Sequence, residues 1–95
     1  MTRVQHRLKS WPEFFEPICA GEKRHELRRF DDREFHIGDK ALLEEFEPRT
    51  GKYTGRSIVV EITYVTSRDD PCAFSATALA DNFCILSIEP VSVPA

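Results

Sequence analysis

The segment SIVVEITYVT, residues 57–66, constrains the fold most, because its β-branched residues make it the clearest strand of the chain. Shorter extended segments are predicted at residues 4–9, 23–30, 40–48 and 82–91, with a further short piece before Gly38. A sheet of five or six short strands must curve strongly or close into a barrel to cover its edges. The 95 residues suit a single domain, residues 1–95, of the α+β class and mainly β.

One helix is predicted between the first two strands, in SWPEFFEPICAG at residues 10–21. Ser10 is the predicted N-cap, and Pro12 lies in the first turn. Glu13 follows Ser10 by three residues, as in a capping box. Pro17 lacks the amide hydrogen that would bond back to Glu13, so a kink or a very short helix is expected.

Two segments are predicted as loops. RTGKYTGR, residues 49–56, contains two glycines and suits a hairpin loop of moderate length. SRDDPCAFSATALAD, residues 67–81, shows no clear period, and its length is typical of a functional or mobile loop with room for one helical turn.

The charge distribution limits the classes of partner. A net charge of −3 argues against strong non-specific binding to nucleic acid. Residues 1–33 nevertheless hold eight Lys/Arg against six Asp/Glu, whereas the remainder holds five against ten. The apolar runs are too short for a membrane helix and the chain opens without a secretory signal, so no membrane contact and a cytoplasmic location are expected.

The most informative short motif is G-x-K-x-x-E-x-R, formed by Gly21, Lys23, Glu26 and Arg28. Lys23 falls in the turn after the predicted helix, and Glu26 and Arg28 share one face of the next strand. A charge-assisted hydrogen bond can hold Glu26 and Arg28 in place, and such a pair at the mouth of a barrel could bind a polar ring or a phosphate. The alternative is a surface ion pair that contributes about 0–1 kcal/mol.

Other chemistries find little support in the sequence. The cysteines form no C-x-x-C pair and the histidines lack zinc-site spacing, so neither a metal nor a cofactor is expected. No G-x-S-x-G, P-loop or dinucleotide fingerprint occurs. Trp11, Phe46 and Tyr53 could stack on a base, although aromatic residues more often pack in a core or a turn.

Four motifs together give the chain a family resemblance. They are H-x-L-K at residues 6–9, G-x-K-x-x-E-x-R at residues 21–28, D-R-x-F-x-x-G-D at residues 32–39, and L-x-E-F-x-P-x-x-G-x-Y-T-G-R at residues 43–56. In this order and spacing they resemble the ASCH-type branch of the PUA-like superfamily. Within that branch, the chain is similar to a small bacterial and phage group of domains of unknown function.

The resemblance implies a fold and a site. The fold is a PUA-like pseudobarrel of five or six mixed strands with one helix between the first two strands. The family's cleft lies beside that helix, is lined by the G-x-K-x-x-E-x-R segment, and is generally taken as an RNA or nucleotide site. Carried over, the cleft-lining residues are Lys9, Lys23, Glu26, Arg28 and Arg33, with Tyr53 and Arg56 at the rim.

One enzymatic ASCH branch resembles this chain in the same segment. Its members hydrolyse acetylcytidine with a lysine, a threonine three residues later and a glutamate from a later strand or loop. Lys23 matches the lysine, but Glu26 stands where that branch has threonine. A lysine beside a carboxylate stays protonated more easily, which favours anion binding over nucleophilic attack.

Three functional hypotheses follow. The leading one is an RNA- or nucleotide-binding module in which Trp11 or Tyr53 stacks on a base and Lys9, Lys23 and Arg28 contact phosphate or carbonyl oxygens. The second is a small amidohydrolase on an acylated nucleoside, with Lys23 and Glu26 as the catalytic candidates. The third is a protein-interaction or regulatory module whose acidic second half, including residues 44–47 and 67–71, faces a basic partner.

Overall fold

The β-branched run forms most of the longest strand of the fold. The computed structural model describes residues 3–30 and 33–91, which leaves Asp32 and residues 92–95 of the segments considered above outside the described residues. The elements, in chain order, are β1 (His6–Ser10), α1 (Pro12–Cys19), β2 (His25–Arg29), β3 (Lys40–Glu47), β4 (Lys52–Thr66), α2 (Ser75–Ala78) and β5 (Phe83–Pro90).

The strands form one mixed sheet in the order β1-β3-β4-β5-β2. β1 pairs with β3 in parallel, and the other neighbours are antiparallel. β1 and β2 are therefore opposite edges, yet Arg28 Nη2 on β2 lies 2.6 Å from the carbonyl oxygen of Lys9 on β1. The sheet must curl to bring its edges this close. The expected mixed, strongly curved sheet is confirmed as a half-barrel, with no β1–β2 ladder among the described residues.

The hydrophobic core fills the concave side of this sheet. Alternation along β1 and β3 turns every second side chain inward. The helix α1 contributes Phe15 and Ile18, both fully buried, and packs on β3. The buried apolar cluster consists of Leu8, Phe15, Ile18, Ala41, Leu43, Val60, Ile62, Cys84, Leu86 and Ile88. No helix in the described part of the chain is long and apolar enough to cross a membrane.

The start of α1 differs from the sequence prediction. The N-cap position is Trp11, not Ser10, and no side chain caps the helix there. Ser10 is instead the last residue of β1, in register with Glu45 of β3, and this pairing turns its side chain inward. Pro17 lies within the helix, which continues to Cys19, so the proline does not end it.

The predicted loop at residues 49–56 is also mostly strand. Gly51, with φ of 68°, allows a tight turn, and β4 begins at once at Lys52. The β3–β4 register shifts between Glu44 and Phe46, opposite Gly55, whose φ is 93°. A bulge with glycine in the left-handed region absorbs the extra residues and lets the ladder continue. The loop at residues 67–81 does contain one short helical turn, α2.

Ile62 and Ile37 provide a matched test of the core. Ile62 is 0% exposed and Ile37 is 62% exposed. We expect Ile62→Ala to lower the free energy of unfolding by about 2–5 kcal/mol, because it leaves a cavity in a small core. Ile37→Ala is expected to change it by no more than about 0.5 kcal/mol. Urea unfolding measures both; equal losses in the two variants would contradict this assignment of the core.

Candidate functional site

The edge strand β2 buries one residue, and that residue is the carboxylate Glu26. Glu26 and Arg28 share one face of β2, as predicted, and this face turns toward the concave side, whereas His25 and Leu27 are exposed. The exposed fraction of the Glu26 side chain is only 8%. A buried carboxylate is costly unless cations and hydrogen-bond donors surround it, so the partners of Glu26 define the site.

Two cations pair with Glu26, one at each carboxylate oxygen. Lys23 Nζ lies 3.1 Å from Oε1, while Arg28 Nε and Nη2 lie 2.9 Å and 2.7 Å from Oε2. Lys23 reaches it from the turn after α1, where Gly21 has a φ of 78°. Arg28 also donates to the Lys9 carbonyl, so the same guanidinium joins the carboxylate to the opposite edge strand. This is a partly buried network and not an exposed surface pair.

A small cavity lies between the start of α1 and β2. We call it the aromatic pocket; its volume is about 320 Å³, and its lining residues are Lys9, Ser10, Trp11, Phe14, Glu26, Leu27 and Arg28. Trp11 and Phe14 are about half exposed, with ring centroids 6.1 Å apart and ring planes 26° apart. Exposed aromatic faces beside a buried carboxylate suit a planar polar ring.

A broader cavity lies on the other side of Lys9 and Arg28. We call it the cationic groove; its volume is about 760 Å³, and its lining residues are Arg7, Leu8, Lys9, Arg28, Arg33, Glu44 and Tyr53. Four of these side chains are cationic, and Glu44 pairs with Arg7 at 3.0 Å. The groove and the aromatic pocket share Lys9 and Arg28, so they meet at the contact between the two sheet edges.

Lys9 occupies this junction without a carboxylate partner among residues 3–30 and 33–91. Its Nζ lies 4.4 Å from the ring centroid of Phe46 and 6.0 Å from that of Tyr53. The two rings pack edge to face, with centroids 5.1 Å apart. A cation–π contact uses no hydrogen-bond acceptor, so the N–H donors of this ammonium remain available to an anion.

The structure thus brings most of the candidate residues together, but not Arg56. The aromatic pocket is lined by Lys9, Trp11, Glu26 and Arg28, and Lys23 pairs with Glu26 there. The cationic groove is lined by Arg33 and Tyr53.

Arg56 lies elsewhere, past the bulge at Gly55. It pairs with Glu16 of α1, approaches Glu45 at 3.8 Å, and stacks on Phe15 at 5.2 Å. The hydrogen bond that Arg56 donates to the Glu16 carboxylate raises the pKa of the Arg56 guanidinium. Its place at the rim, implied by the resemblance, does not match this geometry.

Some residues that line the two cavities were not predicted from the sequence. Arg7, in the groove, is two residues before Lys9 on β1, so strand alternation could have found it. Phe14 also lines the aromatic pocket, because α1 buries only Phe15 and Ile18 and leaves Phe14 about half exposed. Leu27 points outward and was not considered a lining residue, although it borders the aromatic pocket.

The histidines have structural surroundings or are exposed. His6 is buried, its Nε2 lies 2.8 Å from Asp39 Oδ2, and its ring packs on Phe35 at 4.6 Å. Burial raises the pKa of Asp39, but the hydrogen bonds from His6 and from the His36 amide outweigh this and lower the pKa overall. No cluster that could hold a metal occurs among the residues that the structure describes.

The acidic second half is only partly exposed. Glu45 is buried, accepts a hydrogen bond from Thr54 Oγ1 at 2.7 Å, and cannot face a protein partner. Asp69 and Asp70 help to line a separate cavity of about 310 Å³ beyond β4.

A family comparison covers this whole region. The family model described as "Domain of unknown function (DUF3850)" matches residues 5–88. The chain belongs to the DUF3850 family. It is also 35% identical over 65 residues to the "Uncharacterized 12.9 kDa protein in GpA 3'region" of Escherichia phage P2. That alignment covers 68% of this chain and 57% of the phage protein, so this DUF3850 chain matches somewhat more than half of its relative.

Glu26 and Glu61 test whether the network stabilises this DUF3850 chain. Glu61 forms a single ion pair with Lys40 and is about half exposed. We expect Glu26→Gln to lower the free energy of unfolding by about 1.5–3 kcal/mol, because two cations lose their buried carboxylate. Glu61→Gln should cost no more than about 1 kcal/mol. Urea unfolding measures both variants. An equal loss in the free energy of unfolding would show that the Glu26 network contributes no more than an exposed ion pair.

Proposed function

We propose that this DUF3850 chain is an RNA- or nucleotide-binding module whose ligand occupies the contact between β1 and β2. The observation that carries the proposal is the juxtaposition of the buried, doubly paired Glu26 with the half-exposed rings of Trp11 and Phe14 in one small cavity. A nucleobase has a flat face for stacking and polar edges for hydrogen bonds, so it matches both features.

Each side chain has a specific role in this proposal. Trp11 stacks on the base, and Glu26 orients Arg28 while the remaining acceptor position of Oε1 accepts a hydrogen bond from an exocyclic amine. Lys9 and Arg28 bind phosphate or carbonyl oxygens at the junction of the two cavities. Lys23 pairs with Glu26 and offsets the cost of burying this carboxylate when no ligand is bound.

The finer fold assignment belongs to the same proposal. A curled mixed sheet, a helix between its first two strands, and a cleft beside that helix are the features that the PUA-like and ASCH resemblance implies. They support a distant relation to that superfamily, and hence binding of a nucleic acid.

Arg28 and Arg68 give the first test of this function. Arg68 pairs with exposed Asp81 and lines neither the aromatic pocket nor the cationic groove, so it controls for loss of one charge. We expect Arg28→Ala to weaken binding of a short single-stranded RNA about tenfold or more, and Arg68→Ala to weaken it less than about twofold. Calorimetric titrations at several salt concentrations measure the effect.

The salt dependence provides a second criterion within the same titrations. Each phosphate contact on a single strand contributes a slope of about −0.7 in log affinity against log salt. Unchanged affinity in Arg28→Ala, or no salt dependence at all, would exclude the nucleic-acid proposal. A protein partner that resists nuclease in a pull-down, without RNA binding, would favour the interaction module instead.

One distance favours a second candidate, a small amidohydrolase on an acylated nucleoside. Lys23 Nζ lies 3.1 Å from Glu26 Oε1, within the reach needed for proton exchange, and both residues border a cavity of about 300 Å³ beside Phe14. Lys23 would be the base or nucleophile, and Glu26 its partner.

Acylated nucleosides assayed with wild type and Lys23→Ala test this activity. If the chain is a hydrolase, wild type should release the acid and Lys23→Ala should lose about 100-fold or more of the rate, because a positioned base contributes that much. The same experiment with Lys40→Ala controls for loss of a lysine. No turnover in wild type, or equal turnover in Lys23→Ala, would exclude the hydrolase.

A further inference from the structure

Two exposed aromatic platforms border the two cavities that share Lys9, a cation with no carboxylate partner among the described residues. Trp11, packed beside Phe14, borders the aromatic pocket, and Tyr53, packed on Phe46, borders the cationic groove. Lys9 lines both cavities, and its Nζ lies 6.0 Å from the ring centroid of Tyr53. The site therefore offers two stacking surfaces, while a single nucleotide carries one base.

The charge at the junction matches a bridging phosphate. Lys9 has no carboxylate partner within the described residues, and its Nζ lies over the ring of Phe46. Arg28 is held in place there by Glu26 and by the Lys9 carbonyl. A phosphodiester between two stacked bases would supply the anion that Lys9 lacks, without a change in the pairing of Arg28.

We propose that the ligand is a single-stranded oligonucleotide of at least two nucleotides, with one base on Trp11, the linking phosphate at Lys9 and the next base on Tyr53. This inference rests on the proposed nucleic-acid function and specifies its ligand. A duplex does not fit this site, because its bases stack on one another and offer no free faces to Trp11 and Tyr53. A mononucleotide fills one cavity and leaves one platform unused.

Intrinsic fluorescence can follow the first base directly, because Trp11 is the only tryptophan of the chain. The probes are the four nucleoside 5′-monophosphates, the matching dinucleoside monophosphates, and tetranucleotides of RNA and of DNA. We expect all ligands that bind to quench Trp11, and the dissociation constant to fall at least about tenfold from one nucleotide to two. The RNA and DNA arms distinguish the two sources of the same single-stranded chemistry.

The two tyrosines of the chain are matched test and control. Tyr53 is 52% exposed and lines the groove, whereas Tyr64 is 50% exposed and lines neither the groove nor the aromatic pocket. Tyr53→Ala should weaken dinucleotide binding at least about fivefold and so reduce its advantage over the mononucleotide. Tyr64→Ala should leave both dissociation constants unchanged. Tyr53→Leu, which retains an apolar contact with Phe46, gives a folded variant should Tyr53→Ala not fold.

The outcomes separate this inference from the function on which it rests. If mononucleotides quench Trp11 and bind as tightly as dinucleotides, or if Tyr53→Leu and Tyr64→Ala behave alike, the two-base site is wrong while nucleotide binding stands. Tighter binding of a duplex than of a single strand also overturns it. If no probe quenches Trp11 or binds, the proposed function fails as well.

Discussion

The contact between Arg28 and the Lys9 carbonyl determines much else in this fold, because it joins the two edges of an open sheet. A five-stranded sheet that does not close leaves a row of unpaired backbone N–H and C=O groups on each edge strand. Such edges can pair with the strands of another chain and cause aggregation. Here β1 and β2 approach each other through one guanidinium instead of a backbone ladder. A side-chain bridge leaves space on either side, and the aromatic pocket and the cationic groove occupy that space.

Glu26 has to be explained within the same constraint. A charged side chain that points inward from an edge strand discourages pairing with other chains, so a purely structural role is physically reasonable. That role alone would not require Trp11 and Phe14 to remain half exposed beside it, nor Lys9 to remain unpaired among the described residues. Protection of the edge and recognition of a ligand are compatible, since the same buried carboxylate fixes the arginine that both depend on.

The sequence predicted features that lie within one strand, but not those that depend on pairing between strands distant in the chain. Alternation placed Glu26 and Arg28 on one face of β2, and β-branched residues identified β4, because both signals lie within one element. The order β1-β3-β4-β5-β2 could not be read in this way, because it depends on contacts between distant segments. Ser10 was misassigned as a cap for the same reason: its pairing with β3 extends the strand. Arg56 follows the register shift in β4 and pairs with Glu16 of α1, a distant contact that its spacing from Tyr53 could not predict.

The location of the site also follows from the small size of the chain. A domain of 95 residues has one modest core, and its concave side is already filled by apolar side chains and α1. A ligand cavity inside that core would remove packing that the fold needs for stability. The open junction between β1 and β2 is different, because burial there is incomplete and charged groups are already held in place. Binding at this junction adds contacts between the two edges without displacing any core residue, so a bound ligand is expected to raise the stability of the fold.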